Sequence, residues 1–220
     1  AEDLSIEIPA AGDPFAVAAP PIGSLLQFTP WETSGHRVKV QGTVIYQEPG
    51  KMIFLEDGVE GLQAFINHQE LPQLGDRIEV LGFPARGEYT PVLLDAVYRK
   101  LSLTNQLSPT VVSCDEALQG TFDCRLVRVT AKLIARARNS REQFLVLEAD
   151  NSLFQAYLPN RTIEDVFAGL ENGSRVSVTG VCLIEPGDWM AGKSWRAKSF
   201  RLLLRSSQDV VVLQSPPWWT

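Results

Sequence analysis

Gly187-Asp188-Trp189-Met190-Ala191-Gly192-Lys193-Ser194 fits the phosphate-cradling pattern G-x-x-x-x-G-K-S letter for letter. That pattern works when a strand precedes it and a helix follows, so that backbone amides at the helix start hold the phosphates. Here Phe200–Leu204 and Asp209–Leu213 read as strands, and only 26 residues follow Ser194. No further strand–helix unit fits in that length. Trp189 and Met190 also stand where a phosphate cradle wants small residues. The match is one of letters, and nucleotide chemistry is not expected.

Other residues carry a different chemistry. Trp189 and Trp195 alternate with Lys193, Arg196 and Lys198, and a separate connection holds Arg136, Arg138 and Arg141. Aromatic rings stack on bases while cations neutralise a backbone of negative charge. The competing reading is a solvated basic loop whose tryptophans plug a barrel mouth. Tyr46, Phe54, Phe65 and Tyr89 form an uncharged aromatic set in the first half. Glu56, Asp57 and Glu60 read as a turn through Asp57-Gly58 rather than a calcium site. His36 and His68 stand on separate segments with no nucleophile-and-base arrangement. The expectation is therefore no enzyme, no metal and no cofactor.

Cys114, Cys124 and Cys182 lack zinc-type spacing. Cys124 opens a strand and Cys182 ends another expected to lie antiparallel to it, which makes this pair a disulfide candidate if the chain is exported. Cys114–Cys124 is the rival, and three buried thiols are the third reading. Asn160-Arg161-Thr162 and Asn172-Gly173-Ser174 are glycosylation sequons, relevant only to an exported protein.

The elements that must position these groups occur twice. Gly75-Asp76-Arg77-Ile78-Glu79-Val80-Leu81-Gly82 returns as Gly173-Ser174-Arg175-Val176-Ser177-Val178-Thr179-Gly180, 98 residues later. Leu62–Ile66 returns as Phe154–Leu158 at an offset of 92, and Val38, Val40, Gly42 and Val44 return as Val127, Val129, Ala131 and Leu133 at 89. Order is kept and the offset grows only between blocks, as in two copies of one domain with different loops.

Each copy reads as five strands: in the first, Arg37–Tyr46, Lys51–Glu56, Leu62–Ile66, Arg77–Phe83 and Val92–Tyr98. Val38, Val40, Val44 and Tyr46 are expected on one face. In the second copy a helix is expected between strands three and four, started by Thr162 and Asp165, striped by Ile163, Val166, Phe167 and Leu170, and closed by Gly173. Five strands with that helix is the order of the OB-fold, whose ligands lie across strands two and three between the 1–2 and 4–5 loops. Matching Leu202 to Val92 gives an offset of 110, so the second 4–5 loop, Glu185–Ser199, gains about a dozen residues. The fold class is all-β with short helices, as two tandem OB-like five-stranded Greek-key barrels. The expected layout is an extended lead-in (1–35, with a helical turn near Ile22–Phe28), a first barrel (36–107), a linker with a short helix at Cys114–Leu118 (108–123), a second barrel (124–214) and a tail (215–220).

Charge is uneven. Residues 1–107 carry 14 acids against 7 bases, and residues 108–220 carry 12 against 13, so an anionic partner would choose the second half. The tail Pro216-Pro217-Trp218-Trp219-Thr220 suits the approach to a membrane boundary, or packing of its aromatics on the domain.

The blocks His36–Val44, Ile53–Gly58 with Gly61-Leu62, and Leu74–Phe83 resemble the extracytoplasmic region of bacterial membrane-bound sensor histidine kinases and diguanylate cyclases. That resemblance implies a sensory role outside the cytoplasm, ahead of a membrane helix and a signalling output, with no catalytic residues to carry over. The expected function is thus a non-enzymatic, periplasmic sensor or ligand-binding module with an envelope ligand or protein partner. Tyr46, Phe54, Phe65, Tyr89, Arg136, Arg138, Trp189, Trp195 and Arg196 are the candidate binding residues. Binding of single-stranded nucleic acid or an anionic glycan, and a structural or dimerisation spacer, are the alternatives.

Overall fold

Strict alternation builds the strands. From Leu126 to Leu133 the chain turns Val127, Val129, Ala131 and Leu133 inward and Arg128, Thr130 and Lys132 outward, the two-residue period of a half-buried strand. The structure, a computed structural model, describes residues 12–25, 36–67, 70, 72–102, 106–159, 164–190 and 194–216, with the side chains of 188–190 and 194–196 outside the description.

The first copy contains β1 (Val38–Glu48), β2 (Met52–Glu56), β3 (Gly61–Phe65), β4 (Arg77–Ala85) and β5 (Val92–Ser102). They close in the order β1-β2-β3-β5-β4. The second copy contains a short β6 (Thr110–Val111), then β7 (Leu126–Arg138), β8 (Glu142–Ala149), β9 (Ser152–Pro159), β10 (Arg175–Met190), β11 (Ser194–Leu203) and β12 (Val210–Gln214). β7 pairs β8, β8 pairs β9, β9 runs parallel to β11, β11 pairs β10, and β10 returns to β7. This is the same ring as in the first copy.

The ladders verify the duplication residue by residue. Val38, Val40 and Gly42 face Gly82, Val80 and Ile78, while Val127, Val129 and Ala131 face Gly180, Val178 and Val176. The fifth strand corrects one offset: Gln63 faces Val92 and Gln155 faces Arg201, so Val92 corresponds to Arg201 at 109 rather than to Leu202. A turn at Ser207–Asp209 interrupts that strand in the second copy, and β12 resumes its pairing with β10.

Each barrel is stoppered by a helix that precedes its first strand. α1 (Ile22–Leu25) buries Ile22 and Leu25 in the first core, and α2 (Cys114–Ala117) buries Cys114 and Ala117 in the second. The amide of Ile22 donates to Asp57 (3.0 Å), and that of Cys114 donates to Asp150 (3.1 Å). A Ser113–Glu116 capping box fixes the start of α2.

Four expectations are corrected. First, a bulge between Val44 and Tyr46 shifts the register, so Tyr46 leaves the face shared by Val38, Val40 and Val44 and pairs with outward Phe54. Second, residues 164–172 form turns, not a helix. Gln143 there accepts the Val166 amide (2.9 Å) and donates to the Glu164 carbonyl (2.7 Å), taking groups that a helical ladder needs. Phe167 still enters the core; Thr162 and Ile163 lie outside the described residues.

Third, the long basic connection is no loop. β10 and β11 extend as a hairpin that takes up the extra length, with Trp189 facing Trp195 and Met190 facing Ser194 and register shifts on either side of Pro186. Gly187–Met190 and Ser194 therefore lie on antiparallel strands, with 191–193 outside the described residues, and no α-helix follows Ser194 among the described residues. Arg136 and Arg138 likewise belong to β7 itself. Fourth, all three cysteines are free thiols. Cys124 and Cys182 are backbone neighbours (amide to carbonyl, 2.7 Å), but Cys182 points into the second core while Cys124 points between the barrels.

Between the barrels, Ile45, Tyr46 and Phe54 pack against Cys124, Leu126, Val181 and Leu203. Seven buried side chains at about 1.5–3 kcal/mol each give on the order of 10 kcal/mol, comparable to the stability of a whole domain. The two barrels accordingly share an apolar seam of substantial size. Closest approach is at Gly61, where an added β-carbon would overlap the Cys124 carbonyl and lie 2.9 Å from the Arg125 nitrogen. The Leu126 amide donates to Glu56 across the same seam (3.1 Å), and burial raises that carboxyl above the usual glutamate range.

Candidate ligand-binding cleft

Beside this interface the barrels diverge and leave a cavity of ≈ 590 Å³. Strands β2 and β3 supply Met52, Phe54, Gln63 and Phe65, and the β4–β5 connection supplies Arg86, Gly87, Glu88, Tyr89 and Thr90, with Val92 and Leu94 from β5. The opposite wall is Asp123, Cys124, Tyr157 of β9, Leu183, Ile184 and Glu185 of β10, and Arg201 and Leu203 of β11. The strand 2–3 face and 4–5 connection of the first barrel are the surfaces an OB barrel normally offers to a ligand. Here the second barrel roofs them.

Asp123 clasps the two walls. Its carboxylate accepts from the Thr90 hydroxyl (2.6 Å), the Ile184 amide (2.8 Å) and the Cys124 thiol (3.6 Å). Burial raises its pKa above the usual aspartate range, against the pull of those three donors toward the ionised form. Cys124 is buried, and burial pushes its thiol well up, away from the thiolate form that reacts. Tyr89 is half-buried with its hydroxyl against Gly120, a left-handed residue (φ 84°) with no room for a β-carbon. Burial, then the Asp123 charge, raises its phenol.

Arg201 lies 4.0 Å over the Tyr157 ring and donates to Glu142 (2.6 Å). Burial pushes the Tyr157 phenol well above its ordinary range. The cleft thus pairs an aromatic and aliphatic floor with a few polar groups on its walls, the usual build of a small-molecule site.

The structure brings three of the expected residues together here: Phe54, Phe65 and Tyr89. Tyr46 stands behind them, buried in the interface and edge-on to Phe54 (5.8 Å). Arg136 is elsewhere, donating to the Phe167 carbonyl (2.7 Å) near Asp165 (3.6 Å), where it ties down the 164–170 turns. Arg138 is exposed at the end of β7, away from the cleft. Trp189, Trp195 and Arg196 have their backbones on the β10–β11 hairpin, and their side chains lie outside the described residues. Sequence reasoning passed over Asp123, Tyr157 and Arg201. Tyr157 was within reach, since it is the repeat equivalent of Phe65. Among the described residues no cluster of three His, Cys, Asp or Glu side chains could hold a metal ion.

No protein-family model matches the sequence, and no curated protein matches it. Among solved structures, the chain is similar to an OBody bound to hen egg-white lysozyme (15% identity, 49% of this chain and 99% of that one, TM-score 0.35). It is also similar to an aspartyl-tRNA synthetase from Entamoeba histolytica (12%, 51% of this chain and 23% of that one, TM-score 0.36). A murine DNA-binding protein bound to double-stranded DNA aligns over 81% of this chain and 98% of its own, at 9% identity and TM-score 0.39. Likeness at this level decides nothing about function; the strand pairings above define the barrels.

Proposed function

We propose that this chain is a non-enzymatic binding module that holds a small ligand in the cleft between its two barrels. The observation carrying this reading is that Phe54, Phe65 and Tyr89 from one barrel and Tyr157, Arg201 and Leu183 from the other line a single cavity. A ligand there contacts both barrels and favours the arrangement that contacts it best. The resemblance of the first copy to extracytoplasmic sensor regions supports placing such a module ahead of a signalling output.

A thermal-shift screen of amino acids, nucleotides, oligosaccharides and aromatic acids tests it, because a ligand that binds the folded state raises the melting temperature. Leu94 lines the cleft and is exposed, so Leu94→Trp fills the site without invading a core. Shifts that vanish in Leu94→Trp support the cleft. Shifts that persist there, or no shift with any class, overturn it.

A second reading has one observation behind it: Arg128, Lys132, Arg138 and Arg141 are exposed on and beside β7. Binding of single-stranded nucleic acid or an anionic glycan to that surface would weaken steeply with salt and ignore Leu94→Trp.

A further inference from the structure

The charges on the cleft walls say more about the occupant. The first-barrel wall holds one cation and one anion, Arg86 and Glu88, both exposed; the second holds Glu185 on β10 and Arg201 on β11. Among the described residues Arg86, Glu88 and Glu185 form no ion pair. The Nε of Arg201 is buried and has no hydrogen-bond partner. Asp123 is spoken for, since its oxygens already take Thr90, Ile184 and Cys124.

We propose that the cleft takes a small zwitterion with an aromatic or bulky apolar body, of the amino-acid or short-peptide class. The proposal rests on the reading of this cleft as the ligand site. A ligand entering here strips water from Arg86, Glu88 and Glu185, each of which must be matched or its desolvation counts against binding, and from Arg201, which keeps Glu142 (2.6 Å) and has only its Nε unpartnered. A neutral ligand matches none of them. A polyanion such as a nucleotide pairs with Arg86 and Arg201 but faces Glu88 and Glu185, and a polycation meets the reverse.

Only a ligand with a charge of each sign is matched on both walls: its carboxylate by a guanidinium, in the bidentate geometry arginine favours, and its ammonium by a glutamate. Between the walls, Met52, Phe54, Phe65, Leu183 and Leu203 offer an apolar floor for the side chain. The ≈ 590 Å³ cavity exceeds what one amino acid fills and suits a dipeptide or tripeptide.

The test is calorimetric titration of the full chain with the twenty amino acids and a library of aromatic dipeptides. N-acetylated and C-amidated forms of each binder remove one charge at a time, and adenosine monophosphate represents the anions. The expected result is binding of a free zwitterion that weakens about tenfold or more when either terminus is blocked, the loss of one charge-assisted contact. Arg86→Gln and Glu185→Gln, which break no ion pair, should each weaken it comparably with the melting temperature of the free protein unchanged. Blocked forms that bind as tightly as the zwitterion overturn the proposal. So does adenosine monophosphate or a neutral aromatic binding, in a manner sensitive to Leu94→Trp, where no zwitterion does; the cleft then stands as a site of another class. No binding by any class overturns the cleft itself.

Discussion

Gly61→Ala is the sharpest perturbation of the two-barrel arrangement. The new methyl would overlap the Cys124 carbonyl and stand 2.9 Å from the Arg125 nitrogen. Neither group can retreat freely: the Cys124 amide donates to the Cys182 carbonyl (2.7 Å) and the Cys182 amide to the Arg125 carbonyl (2.9 Å). Overpacking of a rigid seam costs about 1–3 kcal/mol. Loss of the adjacent Leu126–Glu56 hydrogen bond adds about 1 kcal/mol. A total of about 3 kcal/mol lowers Tm by about 6–12 °C in a chain of this size. Differential scanning calorimetry measures it, with Gly169→Ala as control, since nothing lies within 4 Å of a β-carbon there. A Gly61→Ala protein that melts within about 2 °C of wild type, against that expected 6–12 °C, would show that the barrels do not meet this closely and refute the reasoning.

The remaining predictions concern charge and sulfur. Asp123 has a raised folded-state pKa, so its contribution is full below the unfolded value of about 4 and is lost as pH rises through the folded one. The Tm of wild type minus that of Asp123→Asn should therefore fall as pH rises above about 4; a flat difference contradicts the desolvated clasp. Glu79 behaves oppositely: burial pushes its pKa up, but Arg99 (2.7 Å), Lys39 (3.1 Å) and Gln41 (3.0 Å) more than offset that and hold it low. Glu79→Gln should cost about 2 kcal/mol near neutrality by stranding buried Lys39, a penalty that fades in acid as wild-type Glu79 protonates; a variant as stable as wild type at pH 7 excludes this. Burial raises the Cys114 thiol to about 11 and pushes those of Cys124 and Cys182 well up, so Ellman's reagent should find three thiols only after denaturation. A reductant that lowers Tm would show that a disulfide is present and contradict this.

The strands were legible because alternation and internal repetition reinforced each other: Val127, Val129, Ala131 and Leu133 were found both by period and by matching Val38, Val40, Gly42 and Val44. Bulges were not. One extra residue at Ile45 moves Tyr46 to the outside without changing the kind of residue seen. The two short helices were expected near Ile22–Phe28 and at Cys114–Leu118 and are found there, but four residues show no helical period that would reveal which face enters the barrel. The β10–β11 hairpin was hidden by Pro186 and Gly187, turn letters that a bulged ladder absorbs. In the cleft, Phe54, Phe65 and Tyr89 followed from the ligand face of the barrel type. Asp123 and Arg201 did not, because what brings them there is the docking of one barrel on the other.

That docking has a direction, and direction raises the question of where it stops. A face of the first barrel receives a different face of the second, so a chain repeating the contact would grow without closing. At both outer faces the equivalent positions carry different residues. On the second barrel the position of Gly61 is held by Leu153, 62% exposed, whose side chain fills the space a third barrel would need. On the first, the position of Leu126 is held by Arg37, which lies over Phe83 and pairs with Asp95 (2.5 Å). Neither Leu153 nor Arg37 reproduces the Gly61–Leu126 seam, so the two equivalent positions do not repeat the contact that joins these barrels.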